Sequence, residues 1–352
     1  MPGPAAPVGS TPVLLADLTT LRVGGPAQDL LAPATERELV EAVADLDRSG
    51  RQVLLVGGGS NLVVCDAGFP GTVVRLCTRG VRLSDAGDHV VLTAEAGEPW
   101  DELVATAVDQ GLAGVEALSG IPGLAGAGPI QNVGAYGQEV AETITGVRVL
   151  DRRTQTVLVL SPSQCGFAYR TSTFRGSSRY VVLATSMRLS RSTGSAPVRY
   201  DELARVLGIS LGQRAPIAAV REAVLELRRT KGMVIDPGGP ADPDTVSAGS
   251  FFTNPVLSAL RAASLPEAAP RYPAPSGGVK ISAAWLIEAA GFAKGYRLGR
   301  ARISGKHTLA LTNAGGASTA ELLDLARQIR ATVLDRFAVE LTAEPVLVGC
   351  TL

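Results

Sequence analysis

The residues of this chain whose types and spacing could do chemistry begin with a glycine cluster. Gly57, Gly58 and Gly59, then Ser60 and Asn61, follow directly on the apolar run Val53-Leu54-Leu55-Val56. Glycines placed after a buried strand can aim consecutive backbone N–H groups at a phosphate, because no Cβ blocks the approach. Read alone, the same five residues serve equally as a plain turn. No Lys-Ser/Thr pair closes them, and they do not follow G-x-G-x-x-G, so a kinase or Rossmann dinucleotide reading loses ground. A second cluster, residues 119–137 with the sequence SGIPGLAGAGPIQNVGAYG, carries no charge. Such a loop needs a reason to be ordered, and a Gly/Pro surface set with Gln131, Asn132 and Tyr136 suits close approach to a flat aromatic cofactor.

Three polar side chains stand far apart. Residues 165–174, CGFAYRTSTF, alternate so that Arg170 shares a face with Ala168 and Ser172. Taken alone, a surface Arg is the commoner outcome. Ser250, in residues 249–255 GSFFTNP, either turns the backbone or presents a hydroxyl. A last strand over residues 339–348 puts Glu344 on one face with Thr342, Val346 and Val348. There its carboxylate either frays into solvent near Pro345 or is held in a cleft by a partner. Tyr200 reads as a packing residue and His307, in a polar turn, as a satisfied structural histidine.

The elements that must position these residues follow from periodicity. Thr35 to Glu38 fits a capping box before a helix with Leu39, Val43 and Leu46 on one face, stopped at Gly50. Strands are expected at 53–56, 72–76 and 90–94, a helix at about 100–111, a strand pair at 147–150 and 157–160, and a strand at 180–189. A helix over 216–230 turns Ile217, Val220, Val224 and Leu227 inward. The Gly/Pro/Asp-rich stretch 232–248 reads as a loop able to cross between domains. Beyond it lie a helix at 282–290, a strand at 308–312 and a long helix capped by Ser318 with Leu322, Leu325, Ile329 and Val333 on one face. The fold class is α+β.

Composition bounds the partners. The 352 residues suffice for two or three domains, and Lys+Arg 33 against Asp+Glu 33 gives none of the basic excess that nucleic-acid binding demands. The four cysteines, Cys65, Cys77, Cys165 and Cys350, have no paired spacing and there are only two histidines, so neither a metal site nor a disulfide framework is expected. The opening residues lack a secretory pattern and the uncharged 117–138 stretch is too rich in Gly and Pro to span lipid, so a cytoplasmic protein without membrane insertion is expected.

In this order the segments resemble the UDP-N-acetylenolpyruvoylglucosamine reductase family. The resemblance rests on Leu21-Arg22-Val23-Gly24-Gly25, the 57–61 loop, residues 119–137, 167–174 and 247–255, and the Glu344 segment. It implies an FAD-binding fold of the vanillyl-alcohol-oxidase type: residues 10–76 and 77–228 as flavin-holding subdomains joined by the final strand 341–352, and 231–340 as an α+β substrate domain. It further implies Ser250 as proton donor, with Arg170 and Glu344 as the other catalytic residues. FAD contacts are implied at Arg22, at Gly57, Gly58, Gly59, Ser60 and Asn61, and at Ser119, Gly120, Ile121, Pro122 and Gly123. More are implied at Gln131, Asn132, Gly134, Ala135, Tyr136 and Gly137. Tyr200, Lys231 and Asn254 are the implied substrate contacts. FAD is expected to be non-covalent, since Ser60 and Asn61 occupy the loop and no His lies near. NADPH and UDP-N-acetylglucosamine enolpyruvate are the implied small-molecule partners of a monomer. Residues 341–346, LTAEPV, depart from the family's more usual Leu-Glu-Pro-Glu-Val-Arg. The competing readings are an FAD-linked alcohol or sugar oxidase, which has no evident use for the Ser250, Arg170 and Glu344 set, and an inactive nucleotide-sugar-binding regulator.

Overall fold

In the computed structural model, which describes residues 13–235, 242–274 and 277–352, three parallel strands open the chain. They lie in the order Ala27–Leu31, Phe69–Arg75, Val53–Val56. The expected capping box forms at Thr35: its hydroxyl accepts from Glu38 N while the Glu38 carboxylate accepts from Thr35 N. The helix Glu36–Arg48 that follows buries Leu39, Val43 and Leu46. They pack against Val74 of the parallel sheet and Leu150, Val181 and Leu183 of a second, antiparallel sheet. Burial at about 1.5–3 kcal/mol per large aliphatic makes this helix the mortar between two sheets.

The antiparallel sheet runs Thr156–Leu160, Ile144–Asp151, Tyr180–Arg191, His89–Glu95, Val81–Ala86, with Leu112–Ala113 also paired to Tyr180–Arg191. The expected pair forms, with Val147 opposite Leu160 and Leu150 opposite Val157. Helix Trp100–Asp109 packs on this sheet. Helix Ile217–Thr230 buries the four predicted residues, and also Arg228.

A third sheet, in the order Ser247–Ser250, Ala310–Asn313, Ala301–Ile303, Arg297–Leu298, shares one core with helices Ala283–Ala289 and Thr319–Phe337. Ser318 caps the latter with a capping box, as expected. Leu21, Val23 and Val63 from the start of the chain join that same core. The chain's last strand, Val346–Val348, pairs in parallel with Leu62–Val64, directly after the first glycine loop. Residues 236–241 of the predicted 232–248 loop lie outside the described residues. No helix among the described residues is long and apolar enough to cross a membrane.

Two expected strands are corrected. The strand over 339–348 is confined to Val346–Val348, because residues 342–344 bond instead to residues 251–253. Residues 165–174 do not alternate as extended chain. They leave the short helix Pro162–Cys165 and close a tight turn in which Ala168 and Thr171 exchange both backbone hydrogen bonds, with Arg170 at φ +53°.

Candidate active site

The two glycine clusters meet backbone to backbone. A Cβ on Gly58 would lie 2.8 Å from Gly123 Cα, so only glycine lets these loops touch. Ser60 Oγ, donating to Pro122 O at 3.1 Å, ties them. They form one wall of a cleft of about 320 Å³. Along it the N–H groups of Gly58, Gly59, Ser60 and Asn61 donate to no acceptor among the described residues. Unpartnered amides at the C-terminal end of a parallel strand suit a diphosphate, and the apolar side chains of Ile121, Leu124 and Val133 in the same lining suit a flat ring system. The residues present therefore fit a flavin dinucleotide.

The same cleft brings together side chains some 80 residues or more apart in sequence. Ser250 ends the strand Ser247–Ser250, whose pairing with Ala310–Asn313 slips by a bulge at Gly249, φ +69°. The slip faces Ser250 into the cleft, a turn that glycine makes at little cost. Glu344 is set beside it by Glu344 N donating to Phe251 O at 2.9 Å, with Thr253 N to Thr342 O at 3.0 Å. Arg170 enters from the Ala168–Thr171 turn. Its Nη2 donates to Gly134 O at 2.7 Å, and its Nε lies 3.3 Å from Glu344 Oε1. Gln131 Nε2 donates to Glu344 O at 3.0 Å. Holding Arg170, Asn132 and Tyr136 at φ between +45° and +53° costs about 1–2 kcal/mol each, so backbone strain gathers around this site.

Burial pushes the Glu344 carboxyl above the usual range, opposed by Arg170 and Arg175. Arg175 donates to Arg170 O at 2.6 Å and to Ala343 O at 3.4 Å, bracing the two segments. Ser250 Oγ lies 3.4 Å from His307 Nε2.

The cleft gathers Gly57, Gly58, Gly59, Ser60, Asn61, Ile121, Pro122, Gln131, Gly134, Arg170, Ser250 and Glu344. Other expected contacts stand outside its lining, several with jobs of their own. Arg22 is exposed. Ser119 Oγ donates to Glu116 O, and Gly120 N to Asp101 Oδ1. Gly123 backs the Gly58 contact. Asn132 is buried and holds the loop, donating to the Glu139 carboxylate and Ala168 O and accepting from Ala141 N. Asn254 Oδ1 accepts from Ala283 N at the start of a helix. Ala135 and Gly137 flank Tyr136, whose ring meets Tyr200 edge-on at 5.4 Å and lies 5.5 Å from Lys231 Nζ. Lys231 is paired with Glu202 at 2.6 Å. Tyr136, Tyr200 and Lys231 thus form a separate group.

Sequence reasoning missed Arg228, which lines the cleft with its Nε buried and unpartnered among the described residues. The signal was available: position 228 continues the apolar stripe of Val220 and Val224, where an arginine is out of place. It also missed Arg175 and the Ser250–His307 contact. The four cysteines are free.

A family model described as "UDP-N-acetylenolpyruvoylglucosamine reductase, C-terminal domain" matches residues 242–348, and one described as "FAD binding domain" matches residues 27–161. The chain is 56% identical over 351 residues to the UDP-N-acetylenolpyruvoylglucosamine reductase of Thermobifida fusca, covering 97% of this chain and 98% of that one. It is 52% identical to the protein of the same name from Saccharopolyspora erythraea, covering 99% and 97%. Among solved structures, UDP-N-acetylenolpyruvylglucosamine reductase from Thermus caldophilus superposes with a TM-score of 0.65 at 27% identity, covering 96% of this chain and 98% of that one.

Proposed function

From the premise that the chain belongs to the UDP-N-acetylenolpyruvoylglucosamine reductase family and is an FAD-binding oxidoreductase, we propose that NADPH is its electron source and that Ser250 is its proton donor. The reaction is reduction of the enolpyruvyl group of UDP-N-acetylglucosamine enolpyruvate to the lactyl ether of UDP-N-acetylmuramate, a step of peptidoglycan precursor synthesis in the cytoplasm by a monomer. The observation that carries this is the convergence of Ser250, Arg170 and Glu344 on one glycine-walled cleft.

The amides of residues 58–61 would hold the FAD diphosphate, and among the described residues neither His nor Cys lines the cleft. Bound there, reduced FAD would supply the hydride that enters the terminal methylene carbon of the vinyl group. Negative charge then gathers on the neighbouring substrate carbon and its carboxylate. Arg170, fixed by Gly134 O, offers its guanidinium to that charge without rearranging. The Ser250 hydroxyl passes its proton to the same carbon; a neutral hydroxyl suffices because an enolate carbanion is a strong base. Glu344, ionised, would repel this charge. When the substrate carboxylate arrives, two carboxylates share one guanidinium, and Glu344, already pushed up by burial, takes a proton and donates a hydrogen bond instead. Tyr200 and Lys231 close on the UDP diphosphate from their place beside Tyr136.

Nicotinamide and enolpyruvyl group must each bring a reacting carbon to about 3–3.5 Å from the same flavin atom, so one cleft serves them in turn. Initial rates at varied NADPH and enolpyruvyl substrate should give parallel double-reciprocal lines, with inhibition by either at high concentration. Intersecting lines would refute the shared cleft.

A further inference from the structure

Ser250 Oγ has one side-chain partner among the described residues, His307 Nε2 at 3.4 Å. The two residues meet because Ser250 pairs with Ala310 across the sheet, at the end of the turn that carries the histidine. That turn is pinned on every side. Ser304 Oγ accepts from Lys306 N and His307 N at 3.0 and 3.1 Å. Asp244 Oδ1 accepts from Gly305 N at 3.0 Å and from Arg302 Nη2 at 2.8 Å. Ala310 N donates to His307 O, and Phe251 N to Leu309 O at 2.7 Å. The Thr308 hydroxyl donates to Glu288. The imidazole therefore reaches Ser250 on a rigid support. His307 stands outside the cleft lining and meets the catalytic set through its contact with Ser250.

We infer that His307 is a positioning residue for the proton donor: its Nε2–H donates to Ser250 Oγ and leaves the hydroxyl proton free to point at the substrate carbon. The inference rests on the reading of Ser250 given above. An Nε2 that accepted instead would hold the hydroxyl proton on the imidazole side and deny it to the substrate. Burial, reinforced by Lys231, Lys294 and Arg228 and opposed by Glu202, pushes His307 down to about 4, so the ring carries a single N–H at neutral pH. As the Ser250 O–H bond breaks and the enolate electron pair forms the C–H bond, the charge developing on Oγ faces that N–H. Water then returns a proton to Oγ before the next turnover.

The test follows the two flavin half-reactions in the holoenzyme without oxygen. H307A should leave flavin content and reduction by NADPH unchanged, and slow oxidation of the reduced flavin by the enolpyruvyl substrate about tenfold, one positioned hydrogen bond. H307Q, whose amide keeps an N–H donor, should recover most of that rate. In an S250A background, H307A should change the second half-reaction by less than about twofold, because a residue acting through Ser250 has nothing left to position. Losses that multiply in the double variant, or a Gln variant no better than Ala, would overturn the inference. Wild-type reduced flavin that the enolpyruvyl substrate does not oxidise would instead overturn the proposed function, and this inference with it.

Discussion

Arg170→Ala should separate the two half-reactions. The guanidinium lies 3.3 Å from Glu344 and is locked by a 2.7 Å bond to Gly134 O, and on the proposed mechanism it faces the charge that develops on the substrate. Coulomb's law with an effective dielectric near 20 gives about 4 kcal/mol for a unit charge pair about 4 Å apart. With each side chain of the pair 21% exposed, solvent screening brings this to about 2.7–4 kcal/mol, the range found on removing one preorganised oxyanion donor. Oxidation of the reduced flavin by the enolpyruvyl substrate should therefore slow about 10²–10³-fold, while reduction by NADPH changes little. Loss of Arg170 also removes the main influence holding Glu344 down, so that carboxyl rises further. Stopped-flow absorbance of the flavin measures each step separately. An equal loss in both steps, or less than about a fivefold loss in the second, would refute the placing of Arg170 at the developing charge.

Ser250→Ala should leave NADPH-driven flavin reduction intact and slow the second half-reaction by about 10²–10⁴-fold, read in the same instrument; equal losses would mark a structural serine. Tyr200→Phe, at a partly exposed side chain beside Tyr136, should weaken substrate binding by about 0.5–3 kcal/mol in a flavin-perturbation titration without altering the NADPH step. His307 governs part of the acid stability: its folded value, about 4, lies below the unfolded 6.5, so the unfolded chain binds the proton first. The stability it contributes is complete above pH 6.5 and lost as pH falls toward 4. Denaturant melts at pH 7 and pH 4.5 should show that fall smaller in His307→Gln by about 2–3 kcal/mol.

Helix Glu36–Arg48, the Ile217–Thr230 stripe and the Ser318 cap were legible because each is a local pattern: a cap followed by apolar spacing that one element buries by itself. The glycine clusters were legible as candidates, but that Gly58 and Gly123 touch is set by tertiary packing. Arg170 and Glu344 were misplaced within their elements for a shared reason. Alternation in residues 165–174 and 339–348 suggested strands, yet the Ala168–Thr171 turn and the bonds from residues 342–344 to 251–253 satisfy the same backbone groups differently. Period two says nothing of which partner will be found. The distribution of polar work within 119–137 was equally hidden: Asn132 is turned inward to hold the loop, while its neighbour Gln131 reaches the cleft.

The central claim is that this chain moves electrons from NADPH to an enolpyruvyl sugar nucleotide through one flavin site. Its most direct test is the visible spectrum of the purified holoenzyme in the absence of oxygen. One equivalent of NADPH should bleach the flavin band, and one equivalent of UDP-N-acetylglucosamine enolpyruvate should restore it, with mass spectrometry showing a product two hydrogens heavier than that substrate. A flavin that NADPH fails to bleach, or that stays bleached until oxygen is admitted, would contradict the account and favour an oxidase on the same fold.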